Sequence, residues 1–150
     1  MELILWRHAE AEDGVPDASR RLTDKGMKQA QSMAQWLKPR LPKHTRIIVS
    51  PAKRTQQTVA ALCDTYETLE AVGTSTTADK VLTTVNWPYE EGAVIVVGHQ
   101  PTLGQIAAAI LGNPYASFSV KKGSIWWLSS KAKDLSSNGS LRLVMVPDMI

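Results

Sequence analysis

The chain alternates short, wholly apolar runs with longer stretches whose apolar residues recur every three or four positions. That is the pattern of buried strands alternating with amphipathic helices. The first run, Leu3-Ile4-Leu5-Trp6, stops at Arg7-His8 and reads as a strand. A polar loop follows over 9–21, broken by Gly14 and Pro16. Thr23 is the expected N-cap of the next helix, with Asp24 at its positive end. Met27, Ala30, Met33, Ala34 and Leu37 mark the inner face of that helix, and Pro39 and Pro42 close it. Ile47-Ile48-Val49 is a second, β-branched strand. Ser50-Pro51 then predicts an N-cap followed by proline in the first turn of a helix that lines up Val59, Leu62, Cys63 and Tyr66.

The Thr-rich stretch 67–88 carries little pattern, with a short helix expected within 78–86. Ala93-Val94-Ile95-Val96-Val97 is the clearest strand in the chain. After Gly98-His99-Gln100-Pro101 comes a helix with Leu103, Ile106, Ala107, Ile110 and Leu111 inside, ended by Gly112 and Pro114. The last third changes character: 117–120, 124–128 and 141–146 read as strands, with a turn signal at Asn138-Gly139. This order predicts a three-layer αβα arrangement. Its sheet is mostly parallel, and antiparallel strands join late.

Composition narrows the picture. At 150 residues the chain is expected to form one domain over 1–150. With 43% hydrophobic and 21% charged residues it is neither disordered nor collagenous. No apolar run approaches a membrane span. Cys63 stands alone, so no internal disulfide is available, and the first residues show no secretory signal; a cytoplasmic location is expected. The net charge of +3 is too small, and too scattered, to suggest nucleic-acid binding, but it suits an anionic ligand.

Candidate chemistry lies where the strands end. Arg7-His8, Ser50 to Arg54, and Gly98-His99 each follow a strand. In an open α/β sheet the carboxyl ends of the strands share one edge, where ligands bind. Two imidazoles and two guanidiniums far apart in sequence are therefore expected to converge beside helix N-termini, which favour anions. Arg matches phosphate oxygens bidentately, so the natural guest is a phosphoryl group.

Three segments carry a resemblance. Arg7-His8-Ala9-Glu10-Ala11, Ser50-Pro51-Ala52-Lys53-Arg54-Thr55-Gln56-Gln57-Thr58 and Gly98-His99-Gln100-Pro101 resemble, in order, the three motifs of the histidine phosphatase superfamily. The short chain, the segment Arg20-Arg21-Leu22-Thr23-Asp24-Lys25-Gly26 and the C-terminal Gly123-Ser124-Ile125-Trp126-Trp127-Leu128 are similar to its compact SixA-type branch of phosphohistidine phosphatases. The resemblance implies a phosphoglycerate mutase-like fold and a covalent phosphohistidine intermediate. It assigns His8 as nucleophile and His99 as a second catalytic group, with Arg7 and Arg54 as phosphate ligands. No cofactor or metal is implied. The expected partner is a phosphorylated protein carrying phosphohistidine, or a small phosphorylated molecule.

Chemistry refines these expectations. Imidazole attacks phosphorus without a separate base, provided one nitrogen is held; a backbone carbonyl near Ala9 is the expected holder. His99 is expected to be cationic, and Ser50 to cap its helix. Ala replaces the family Gly at position 9, which is harmless only if φ there is negative. Glu10, Glu12, Asp13 and Asp79 are candidate general acids. Phosphohistidine leaves as imidazole and can dispense with a strong acid. The alternatives are a small-molecule phosphomonoesterase, a metal site built from His8, His99 and Glu10, and a phosphate-binding module without turnover. His44, Trp36, Trp126 and Trp127 read as loop surface and packing.

Overall fold

A computed structural model describes residues 1–131 and 139–150. Six strands form one sheet: β1 (Glu2–Arg7), β2 (Arg46–Val49), β3 (Glu67–Thr68), β4 (Ala93–Gly98), β5 (Ile125–Ser129) and β6 (Ser140–Met145). Their order is β3-β2-β4-β1-β5-β6, the first four parallel and the last two antiparallel. Four helices connect them: α1 (Asp24–Leu37), α2 (Lys53–Ala60), α3 (Ala78–Thr84) and α4 (Thr102–Ile110).

The layers follow from strand periodicity and crossover handedness. Successive strand residues point to opposite faces. Leu3, Leu5, Val94 and Val96 therefore meet Val81 and Val85 from the α3 region and Leu103, Ile106 and Ile110 of α4. Ile4, Trp6, Ile95 and Val97 meet Met33, Ala34 and Leu37 of α1 and Val59 of α2. The path from β1 to β2 to β3 runs one way along the sheet, and the step to β4 runs back. Right-handed crossovers then put α1 and α2 on one face and α3 on the other. All six β4 residues are buried, as expected for a strand covered on both faces.

Thr23 caps α1 as expected: its Oγ1 accepts from the Gly26 N–H at 2.9 Å. Met27, expected on the inner face, is exposed instead, and Gly26 occupies the buried position. A Cβ at Gly26 would lie 2.0 Å from the Glu10 carbonyl oxygen, so only glycine lets α1 approach the loop after β1. The helix after Ser50-Pro51 is shorter than its apolar spacing implied. It ends at Ala60, and Leu62, Cys63 and Tyr66 reach the core from the segment that follows. Both prolines, Pro51 and Pro101, precede their helices rather than enter the first turn.

Residues 117–120 are not a strand. Their polar groups are taken one by one: the Phe118 carbonyl by Gln100 Nε2, the Phe118 N–H by the Gly104 carbonyl, and the Val120 carbonyl by Arg7. The turn expected at Asn138-Gly139 falls partly outside the described residues. No helix among the described residues is long and apolar enough to cross a membrane.

Candidate active site

Register alone brings the motifs together. Arg7 of β1 lies level with Gly98 of β4, and Val49 of β2 with Val97. The next residues stay locked to β4: the His8 N–H donates to the Gly98 carbonyl and the Ser50 N–H to the Val97 carbonyl, both at 3.1 Å. His8, Ser50 and His99 thus emerge side by side at the carboxyl edge. Arg54 joins them from the first turn of α2.

Arg7, His8, Arg54 and His99 line one cleft of about 240 Å³. The two imidazole centroids are 5.4 Å apart. His8 is 7% exposed and His99 6% exposed, so their electrostatics are set by protein rather than water. His8 Nδ1 lies 2.7 Å from the Ala9 carbonyl oxygen, to which it donates, leaving Nε2 with the lone pair. Burial pushes the His8 pKa down from 6.5 to about 3; the Ala9 carbonyl opposes that shift, and His99, Arg54 and Arg7 add to it. Burial, followed by the Arg54 charge, likewise lowers His99 from 6.5 to about 4. His99 is therefore neutral at pH 7 in the free protein, where charge-matching to phosphate had suggested a cation. Desolvation beside three arginines outweighs that expectation.

Ala9 is not among the residues with positive φ, so alanine costs nothing there. It is fully buried against Leu22 and Ala30. Its N–H donates to Thr58 Oγ1 at 3.0 Å. Ser50 does not cap α2, whose N-cap is Ala52 without a side-chain bond. Its Oγ accepts from the Ala52 N–H at 3.2 Å and lies 2.7 Å from His99 Nε2. Gln56 and Gln57 serve structure: Gln56 Nε2 donates to the Ser50 carbonyl and Gln57 Oε1 accepts from the Leu22 N–H.

Asp17, Arg20, Thr74, Gln100 and Lys122 also line the cleft, and sequence reasoning had not singled them out for it. Gln100 follows directly on the third motif, whereas Asp17, Arg20, Thr74 and Lys122 sit in segments without periodicity that only the fold brings near the strand ends. Asp17 ties two arginines: its Oδ2 accepts from Arg54 Nη2 and its Oδ1 from Arg20 Nη1, each at 3.1 Å, and its carbonyl accepts from Arg54 Nη1 at 2.9 Å. The hydrogen bonds from Arg20 and then Arg54 hold its carboxyl below the usual carboxylate range. Of the four acids considered from sequence, none lines this cleft. Glu10 accepts from the Thr23 hydroxyl at 2.8 Å, and Asp79 borders separate hollows beside α3. Trp127 is buried, Trp36 and Trp126 pack against the core, and His44 is an exposed loop residue.

The arrangement has one chemistry. Among the described residues, four cationic side chains and one carboxylate line the cleft around a buried imidazole whose Nε2 keeps its lone pair. Such a site binds and transfers phosphoryl groups, and it stands at the strand edge of a phosphoglycerate mutase-like fold. Known proteins agree. Residues 3–75 match the profile of the histidine phosphatase superfamily (branch 1). A phosphohistidine phosphatase SixA homolog of Haemophilus influenzae is 30% identical, over 93% of this chain and 96% of its own. The phosphohistidine phosphatase SixA of Escherichia coli is 27% identical, over 98% and 94%. A solved structure of the protein histidine phosphatase SixA complexed with tungstate superposes with a TM-score of 0.82 at 26% identity, over 99% of both chains. The chain belongs to the histidine phosphatase superfamily.

Proposed function

We propose that the protein is a phosphohistidine phosphatase working through a phosphorylated His8, with residues 1–150 acting as one catalytic domain. One observation carries the reading. The Nδ1–H bond to the Ala9 carbonyl orients the His8 ring and leaves its Nε2 lone pair in a cleft lined by Arg7, Arg54 and His99. Nε2 attacks phosphorus as the P–N bond of the substrate breaks. With its distal nitrogen protonated, the substrate side chain departs as neutral imidazole. The phosphorylated His8 ring is cationic, because Nδ1 keeps its hydrogen. Water then attacks phosphorus, the P–Nε2 bond returns its electron pair to the ring, and both water protons leave with the phosphate as H2PO4−.

Arg7, Arg54 and His99 stabilise the equatorial oxygens, where catalysis of phosphoryl transfer chiefly resides. The acid side of the site supports phosphohistidine over alkyl phosphates. An alkoxide needs a proton, and Asp17, the one carboxylate lining the cleft among the described residues, is held ionised by Arg20 and Arg54. The SixA relatives support the same substrate class, and a phosphohistidine-bearing protein is the proposed partner.

The test compares wild type with His8→Ala on a phosphohistidine protein and on an aryl phosphate, with rapid quench to trap the adduct. Wild type should prefer the phosphohistidine protein and show phosphate on His8, while His8→Ala should fall to background on both substrates. Equal rates for the two variants would refute the nucleophile assignment.

A further inference from the structure

Ser50 is fully buried, and among the described residues its hydroxyl oxygen has two neighbours, the Ala52 N–H and His99 Nε2. The backbone N–H can only donate. The hydroxyl hydrogen therefore has one acceptor within reach, the ring nitrogen. A buried hydroxyl without an acceptor costs about 1–3 kcal/mol, which weighs against any ring form that carries hydrogen on Nε2. His99 Nδ1 is also buried and has no partner among the described residues. Both facts meet in a single hydrogen-bond pattern.

We propose that Ser50 is a positioning residue whose hydroxyl donates to His99 Nε2, fixing the neutral ring with its hydrogen on Nδ1 as a donor for the transferred phosphoryl oxygen. The bond at 2.7 Å occupies Nε2, so Nδ1, without a partner among the described residues, is left as a preorganised N–H on a ring that lines the cleft. The neutral ring agrees with the low pKa of His99, about 4. A cationic ring would direct hydrogen from both nitrogens and strand the Ser50 hydroxyl. The purpose of the tautomer rests on the phosphoryl-transfer reading, but the tautomer itself is a property of the resting protein.

Nitrogen-15 spectra of the imidazoles in the free protein at pH 7 test this, with His99 identified by its loss in His99→Gln. Wild type should show a protonated Nδ1 and a bare, hydrogen-bonded Nε2. In Ser50→Ala the two signals should move toward a mixture of tautomers, and kcat/KM should fall about 10- to 100-fold, as when an outer partner that orients a functional histidine is lost. A wild-type ring protonated on Nε2, or on both nitrogens, overturns the assignment. So do unmoved ring signals in Ser50→Ala, whatever its activity. The wild-type spectrum decides even if the variant fails to fold. The expected tautomer together with undiminished turnover in His8→Ala would leave Ser50 as assigned and remove the reading through a phosphorylated His8 instead.

Discussion

Acidifying the free protein should leave His8 uncharged far below the range where histidines ordinarily titrate, and should destabilise the fold in the same window. With the ordinary pKa of 6.5, about 97% of His8 would be protonated at pH 5, a roughly thirtyfold loss of the unprotonated ring. With its pKa near 3, almost all of it stays neutral there. The stability consequence has a definite sign. Between pH 6.5 and about 3 the unfolded chain binds a proton at this position that the folded chain refuses. Stability is unaffected above 6.5 and falls as the pH drops through the window. At about 1.36 kcal/mol per pKa unit the full effect is roughly 5 kcal/mol, of which about 2 is lost by pH 5. His99, moving from 6.5 to about 4, contributes a similar loss by pH 5. Each ring raises the other's cost, so the two do not simply add. The exposed carboxyls Asp17 and Glu67, whose pKa values are lowered from 3.8 and 4.5, act in a more acid range. The drop from pH 7 to 5 therefore isolates the histidines. An NMR titration of the His8 ring, with urea unfolding at both pH values, measures the two quantities. A His8 midpoint near 6.5, or equal unfolding free energies at pH 7 and pH 5, would refute the reasoning.

Two further perturbations test the surroundings of the site. Asp17→Asn should leave stability within about 1 kcal/mol, because the Asp17 side chain is exposed and its backbone carbonyl still accepts from the buried Arg54. It should strengthen competitive inhibition by inorganic phosphate by up to about fivefold on the same scale, since the carboxylate competes with the oxyanion for Arg54 and Arg20; unchanged or weaker inhibition in a Ki measurement would argue that Asp17 only anchors these arginines. Gly26→Ala should destabilise by about 1–3 kcal/mol, despite a helix-propensity gain of up to about 1, because the new Cβ meets backbone at 2.0 Å. A higher urea midpoint would contradict this close approach.

The sheet and the site were legible in the sequence wherever one residue type had one use. Unbroken apolar runs such as 93–97 can only be covered strands, and the motifs at their ends are placed by register, which needs no side-chain knowledge. Legibility failed where a residue had rival partners. Ser50 reads as a helix cap because Ser-Pro usually is one, yet His99 claims its hydroxyl. Residues 117–120 alternate like a strand, but Gln100, Gly104 and Arg7 satisfy their backbone separately. Asp17 and Arg20 lie in a loop whose path depends on Arg54, a contact 37 residues away that no local pattern encodes. The charge of His99 failed for a related reason. Attraction to a ligand can be guessed from sequence, whereas desolvation requires knowing what surrounds the ring.

The open donors of the cleft explain why a neutral histidine pair suits this chemistry. Arg7 Nε, Arg54 Nε and His99 Nδ1 are buried and lack partners among the described residues, although each arginine also spends other nitrogens on backbone carbonyls. An oxyanion in the cleft would offer acceptors to donors of this kind. The carbonyl contacts fix the guanidiniums in place, so little side-chain entropy remains to be lost when phosphate arrives. Were His8 and His99 charged as well, the cluster would repel itself and the proposed nucleophile, His8, would have no lone pair. Burial removes both difficulties at once: it discharges the imidazoles and leaves the guanidiniums to supply the field. On the proposed mechanism, the same desolvation that makes the site unstable to acid is what keeps the His8 lone pair available at neutral pH.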